Sequence, residues 1–206
     1  SGGKDSYALL DQYGNLPIVE SYERARAAAQ KALEIDPQLA EAHASFAENE
    51  LWYNWNWEDG EKRLRHAIAL NPNYATARHW LAICLNMKGL FDESLDEMDR
   101  ALELDPLSLI ILRDKGVNLY YARRYDEAIE QGRRVLDLDP DFALAHRLLA
   151  IAYERKEMFT EALSENQIWG DLTKDQLRTE VACGHVYAVS GKRDDATQLL
   201  DRIEQE

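Results

Sequence analysis

The chain has 206 residues, of which 46% are hydrophobic and 30% are charged, a composition typical of a soluble folded protein. Its formal net charge of −14 argues against binding to nucleic acid or to anionic membranes, since both recruit basic surfaces. No run of residues approaches the roughly 18 apolar residues of a membrane span, and the first residues do not have the pattern expected of a signal peptide.

A 34-residue period runs through the sequence and is marked most clearly by its prolines. Pro37, Pro72, Pro106 and Pro140 are separated by 35, 34 and 34 residues. Each closes a similar phrase, such as Ala101-Leu-Glu-Leu-Asp-Pro. Proline lacks an N–H group and clashes with the preceding turn, so each one predicts the end of a helix. A period of this length is typical of repeated helical hairpins.

Three further columns of residues keep the same period. Small residues allow two helix backbones to approach closely, and an aromatic residue that begins the second helix is expected to plug the end of each hairpin. The first small column is Ala47, Ala82, Gly116, Ala150 and Gly184. The second is Ala25, Gly60, Ser94, Ala128, Ala162 and Ala196. The aromatic column is Trp57, Phe91, Tyr125 and Phe159, and Arg193 takes its last position.

In chain order, residues 1–5 begin Ser-Gly-Gly without a methionine, and we interpret them as a flexible expression-vector remnant. The period then predicts one continuous array over residues 6–206. Its repeats are a degenerate one at 6–39, four well-matched ones at 40–74, 75–108, 109–142 and 143–176, and a C-terminal cap at 177–206.

Three positions depart from the pattern. The segment Gly14-Asn-Leu-Pro17 breaks the first repeat, one extra residue lies within Leu51–Trp57, and Lys174 stands where a proline is expected. In the predicted C-terminal cap, Leu199 and Ile203 share an apolar face, and the opposite face is polar. A terminal repeat needs such a polar outer face to stay soluble. Nothing alternates with period two, so we expect an all-α fold without strands.

These columns together resemble the tetratricopeptide repeat over nearly the whole chain. The resemblance implies an all-α, right-handed superhelical solenoid of antiparallel helix pairs, with roughly five to six repeats. Phrases such as Tyr53-Asn-Trp-Asn-Trp-Glu and Asn71-Pro-Asn-Tyr are similar to C-terminal arrays of bacterial multidomain regulators, which join them to winged-helix, TolB-like, adenylate cyclase or kinase domains. That similarity implies a cytoplasmic interaction module for transcription or signalling. Its partner would be another protein, or another domain of the same chain.

The resemblance also implies a concave groove lined by the first helix of each repeat. Carried over position by position, the groove residues are His79, Ile83, Met87, Ile110, Arg113, Val117, Tyr120, Tyr121, Leu144, Arg147, Ile151, Arg155 and His185. In so acidic a chain this wall is apolar and locally basic, which favours a peptide with apolar anchors and some acidic character. The alternative is that these side chains only pack the array. The chaperone-tail carboxylate clamp is not expected, because asparagines are missing at Ile83, Val117 and Ile151.

A second candidate contact is the tryptophan-rich segment that contains the extra residue. Trp57 belongs to the aromatic column, whereas Trp52 and Trp55 are additional and fall near the hairpin turn. Tryptophan is enriched at protein interfaces, so these two residues predict an edge contact. The alternative is that they pack a widened turn. A self-associating scaffold, and thus a homo-oligomer, is the second functional hypothesis.

The sequence contains no arrangement of residues that predicts catalysis, so we expect neither an enzyme nor a cofactor or metal site. HExxH, CxxC and Gly-rich phosphate loops do not occur. His43 and His146 share one column and are expected to pack, and Cys84 and Cys183 are expected to be buried free thiols. A small-molecule sensor is the third and least favoured hypothesis.

Overall fold

The computed structural model describes residues 18–204, which form eleven α-helices and no strand. Residues 1–17 and 205–206 lie outside the described residues, and with them the predicted vector remnant and the break at Gly14–Pro17. The helices are α1 Ile18–Ile35, α2 Ala40–Trp52, α3 Trp57–Leu70, α4 Ala75–Met87, α5 Phe91–Leu104, α6 Leu109–Tyr121, α7 Tyr125–Leu138, α8 Ala143–Arg155, α9 Phe159–Thr173, α10 Gln176–Val189 and α11 Arg193–Ile203.

The chain divides into two compact units, with the boundary between Pro106 and Leu107. The first unit contains α1 to α5 and the second contains α6 to α11. The predicted single array over residues 6–206 stays a prediction. Among the described residues, no helix combines the length and the apolar character that a membrane span needs.

Within each unit the helices form pairs in which consecutive helices pack side by side. The pairs are α2–α3 and α4–α5 in the first unit, and α6–α7, α8–α9 and α10–α11 in the second. The second helix begins at the predicted aromatic residue in four pairs and at Arg193 in α11. The prediction of an all-α fold built from antiparallel helix pairs is therefore confirmed.

The second helices α3, α5 and α7 each end immediately before an Asp-Pro or Asn-Pro phrase. At the end of α3, Asn71 Oδ1 accepts a hydrogen bond from the Asn73 N–H (3.2 Å), which forms a turn that the helix cannot continue. Where the proline is missing, α9 ends instead at Lys174 in the left-handed region, with φ +56. Asp175 then caps α10 by accepting from the Arg178 N–H (3.1 Å), so the register of the pairs survives.

The prolines also take part in a recurring hydrogen bond that the sequence did not reveal. A donor near the start of a first helix bonds to the carbonyl oxygen of the preceding proline, which leaves fewer turn carbonyls without a partner. The pairs are His43 Nε2 to Pro37 (2.9 Å), Arg78 Nε to Pro72 (3.1 Å) and His146 Nε2 to Pro140 (2.9 Å). The two histidines therefore have a structural role.

Close approach at the small columns determines how tightly each pair packs. A Cβ added at Gly60 would lie 2.5 Å from Leu51 Cδ2, far inside van der Waals contact. At the equivalent point of α4–α5, the buried Ser94 Oγ donates to the Ala82 carbonyl oxygen (2.7 Å). The packing therefore depends on residue size at single positions.

Gly170→Ala should destabilise the second unit. The new Cβ would overlap Thr179 Oγ1 and lie 2.9 Å from Thr179 Cβ, in a buried site where the β-branched side chain cannot rotate away. We expect a loss of about 2 kcal/mol in the free energy of unfolding, measured by urea denaturation.

Gly184→Ala is the matched control, because its Cβ would meet Leu199 only at 3.8 Å. Alanine is the better helix former, so stability should hold or rise by up to about 1 kcal/mol. Equal effects of the two substitutions would contradict the packing of α9 against α10.

Candidate functional site

The first helices of the second unit, α6, α8 and α10, share a face that we call the second-unit wall. It consists of Ile110, Val117, Tyr120, Tyr121, Leu144, Ile151, Arg155, Val181 and His185. Side-chain contacts join the three helices. Arg155 Nε donates to Tyr120 Oη (3.0 Å), and His185 Nδ1 lies 3.1 Å from Glu154 Oε2. These contacts bring the predicted Tyr120 and Arg155 together and place His185 beside the end of α8.

The wall is apolar along its first two-thirds. Ile110, Leu144 and Val181 are 39%, 42% and 56% exposed, although aliphatic side chains are usually buried. Val117 and Ile151 are half-buried between them. Each of these side chains is held by a helix that is packed from behind, so the apolar surface is rigidly presented.

Two of the three arginines predicted for the groove, Arg113 and Arg147, are engaged within the second unit. Arg147 Nη1 donates to Asn166 Oδ1 (2.8 Å), and its guanidinium lies 5.3 Å from the centre of the Trp169 ring. Burial lowers the pKa of Arg147 from its ordinary value. Arg113 Nη1 lies 2.6 Å from Asp114 Oδ1. Arg178, which occupies on α10 the position of Ile110 and Leu144, is exposed and lies 3.3 Å from Asp175 Oδ2. The other exposed cations are Arg155 and, when protonated, His185.

The predicted groove residues of the first unit all lie on α4. His79 is only 7% exposed and Ile83 is half-buried, so neither offers much surface. Met87 is exposed at the end of the helix. The predicted groove residues thus separate into these three, in the first unit, and ten others in the second.

The two additional tryptophans have different environments. Trp52 is half-buried, packs against the core of the first unit and contacts Trp57 edge to face (6.1 Å between ring centres). Trp55 lies in the left-handed region with φ +54 and is 66% exposed, although its ring is 5.9 Å from that of Trp57. Of the two predicted edge residues, Trp55 is the accessible one.

An open cleft lies where the second-unit wall meets the α6–α7 turn. We call it the tyrosine cleft, and it is lined by Tyr120, Tyr121, Arg123, Tyr125 and Arg155. Tyr120 is its centre, because the ring centres of Tyr121 and Tyr125 lie 5.5 Å and 5.7 Å from it. The hydrogen bond to Tyr120 raises the pKa of Arg155 and fixes the guanidinium at the rim.

Sequence reasoning did not select Arg123 or Tyr125 as site residues. Because Tyr125 was assigned to the aromatic column, its additional contact with Tyr120 was not predicted. Arg123 adopts φ +62 at the repeat position where Gly89 and Gly191 have φ +77 and +82. The same position holds Trp55 and Glu157 in other repeats, also with positive φ, so a non-glycine residue where two repeats have glycine was the one available signal.

The described residues offer little for covalent or metal chemistry. No group of three His, Cys, Asp or Glu side chains among them is placed to hold a metal ion. Cys84 and Cys183 are free thiols, the first buried and the second half-buried. Burial raises the pKa of the Cys84 thiol to about 11 and also raises the pKa of the Cys183 thiol. Both are thus poor nucleophiles at neutral pH.

Paired helices that repeat every 34 residues and present side chains from successive first helices define a helical-repeat protein. Residues 49–108 and 113–169 match the family model described as tetratricopeptide repeat. Because these two segments cover more than half of the sequence, the chain belongs to the tetratricopeptide repeat family.

Solved structures share this fold at low sequence identity. PilW, a type IV pilus biogenesis factor, is 18% identical with a TM-score of 0.82, over 100% of this chain and 94% of its own. MamA from Desulfovibrio magneticus RS-1 is 19% identical with a TM-score of 0.67, over 81% and 93%. YrrB, described as a tetratricopeptide protein with an unusual peptide-binding site, is 21% identical with a TM-score of 0.60, over 85% and 90%. No curated protein sequence matches the chain.

Arg147→Ala should destabilise the protein, because Asn166 loses a charged donor and Trp169 loses the cation above its ring. We expect a loss of about 2 kcal/mol in the free energy of unfolding, measured by urea denaturation. Arg155→Ala is the control, since this exposed side chain should leave the midpoint near that of the wild type. If Arg147→Ala were equally neutral, the interior position of its guanidinium would be wrong.

Proposed function

We propose that the protein is an interaction module whose second-unit wall binds a peptide or domain of a partner protein. The single observation that carries this proposal is the exposure of Ile110 and Leu144 at corresponding positions of α6 and α8, with Val181 also exposed on α10, three residues past the corresponding Arg178. A scattered exposed aliphatic residue needs no explanation, but several on successive first helices form a patch that a partner can cover.

The surroundings of this apolar patch support the same function. Tyr120, Tyr121 and Arg155 supply rings and a charged group where α6 and α8 end, and His185 stands on α10 at the position of Val117 and Ile151. An apolar centre with an aromatic and polar margin is the usual arrangement of protein interfaces, and tyrosine and arginine are enriched where binding energy concentrates.

The partner segment is expected to carry apolar anchors and some acidic character. Arg113 and Arg147 are engaged by Asp114 and Asn166, so the basic component rests on Arg155 and His185. An amphipathic helix or an extended strand could present such anchors at the spacing of successive first helices. Preference for acidic residues should therefore be local, at the end of the wall.

The finer biological role is also a proposal. We infer that the array works within a bacterial signalling or transcription regulator and that its ligand is a protein or the output domain of the same chain. The similarity of phrases such as Tyr53-Asn-Trp-Asn-Trp-Glu to regulator arrays supports this role.

Self-association is the second candidate function, and Trp55 is the observation that favours it. A tryptophan that is two-thirds exposed offers a large apolar area for contact with a second copy. Light scattering of the wild type and of Trp55→Ser over a wide concentration range tests this candidate. A monomeric wild type at every concentration would exclude it.

The test of the wall uses a random peptide display library selected on the wild-type protein. Leu144→Glu/Val181→Glu places two carboxylates in the apolar patch at exposed positions, so the fold should persist. A bound peptide would bury the two carboxylates against its apolar anchors, which is costly. We therefore expect selected peptides to bind this variant at least tenfold more weakly, measured by fluorescence anisotropy.

The matched control is Leu138→Glu/Leu200→Glu, which adds the same charge at two comparably exposed leucines of α7 and α11, both second helices. Its affinity should equal that of the wild type. Selected peptides that lose affinity equally for both double variants, or for neither, would contradict the proposed function.

A further inference from the structure

We propose that the tyrosine cleft is the subsite that selects the partner, by binding a side-chain carboxylate next to an aromatic residue in an acidic peptide. This inference rests on the proposed function, since Tyr120, Tyr121 and Arg155 belong to both the cleft and the second-unit wall. It adds a chemical identity for the ligand and a residue, Arg123, that the wall does not include.

The first step is that the cleft carries positive charge without a carboxylate opposite it. The Arg123 side chain makes no ion pair or side-chain hydrogen bond within residues 18–204. Arg155 binds only the phenol oxygen of Tyr120 and keeps its terminal nitrogens available. Two guanidinium groups thus face one open cleft in a chain of net charge −14.

The second step is that the carboxylates around the cleft are already paired. Asp126 lies 2.9 Å from Lys156 Nζ, and Glu127 accepts from Arg124 Nε (2.6 Å). On the far side, Glu154 Oε2 lies 3.1 Å from His185 Nδ1 and does not line the cleft. Asp126 and Glu127 are therefore committed to other cations, and the two guanidinium groups of the cleft favour an anionic ligand from outside.

The third step is the chemistry of the recognition. A guanidinium group presents parallel N–H donors that match a carboxylate, and two such groups at one cleft can hold it from both sides. The exposed Tyr121 ring and the half-buried Tyr125 ring offer surface for a neighbouring aromatic side chain. The cleft encloses about 480 Å³, which suits one or two side chains and is small for a folded partner.

The position of the cleft fits a peptide that already lies on the wall. Tyr120 and Arg155 are at the ends of α6 and α8, beyond Val117 and Ile151 along the same helices. A segment whose apolar anchors cover these aliphatic residues would bring its next residues to the cleft. The carboxylate would then set the register of the bound segment.

The backbone conformation at Arg123 allows a substitution that removes the charge and should preserve the fold. This residue holds φ +62, a conformation that glycine adopts without cost and that L side chains rarely adopt. Arg123→Gly removes the guanidinium and the strain together, and glycine occupies the same repeat position at Gly89 and Gly191. The fold should therefore become more stable while the subsite loses charge.

The experiment measures fluorescence anisotropy with two labelled probes, Gly-Glu-Phe-Glu-Leu-Phe-Gly and its amide twin Gly-Gln-Phe-Gln-Leu-Phe-Gly. The wild type should bind the acidic probe about tenfold more tightly than the twin, and the preference should shrink as salt screens the charges. Arg123→Gly should raise the unfolding midpoint, weaken the acidic probe about fivefold and leave the twin unchanged.

The matched control is Glu157→Gly, which relieves φ +59 at the same position of the next repeat, outside the cleft. It should raise the unfolding midpoint and leave the preference for the acidic probe intact. A wild type that binds both probes alike, or binds neither, overturns the inference, and so does an Arg123→Gly variant that keeps the full preference.

Failure of the subsite and failure of the proposed function are distinguishable. If display-selected peptides still require Leu144 and Val181 while the two probes bind alike, only the tyrosine cleft inference fails. If the selected peptides are indifferent to those two positions, the proposed function of the wall fails, whatever the probes show.

Discussion

The structure depends on how closely the two helices of each pair approach. At Gly60 there is no room for a single added carbon beside Leu51, and at Ser94 a hydroxyl reaches the Ala82 backbone of the partner helix. Packing of this kind fixes the separation of the helices in a pair to a fraction of an ångström. Because the small residues recur every 34 positions, helix pairing recurs with the same period, although the approach is looser at Gly184 than at Gly60. First helices such as α6 and α8 are thereby held in register with each other.

The second-unit wall is a consequence of that geometry. Each first helix is packed from behind by second helices, so among residues 107–204 the remaining faces of α6, α8 and α10 carry the exposed Ile110, Leu144 and Val181. The same constraint explains why the arginines differ in role. Arg147 is drawn into the contact between α8 and α9, where Asn166 accepts its hydrogen bond, whereas Arg155 lies about two helical turns further along α8 and stays at the surface. Arg155 therefore supplies positive charge where α8 ends.

Much of the fold could be predicted from the sequence because its signals are local and repeated. Trp57 and Phe91 mark where second helices begin, and the Asn71-Pro phrase marks where one ends, since these residues act on their own turn. The candidate site was harder to predict. Periodicity assigns a residue to a helix face, but it does not say whether a long side chain such as Arg147 turns inward to a partner. The left-handed backbone at Arg123 has no local signal except the glycine that repeats elsewhere.

The central claim is that the second-unit wall is a peptide-binding surface, and methyl NMR tests it most directly. The protein is labelled at isoleucine, leucine and valine methyl groups and titrated with a display-selected peptide. The account predicts saturable shifts at Val117, Ile151 and Val181 of the wall, with little change at Leu138 and Leu200 of the second helices. Shifts confined to those two leucines, with the wall methyl groups unchanged, would contradict it.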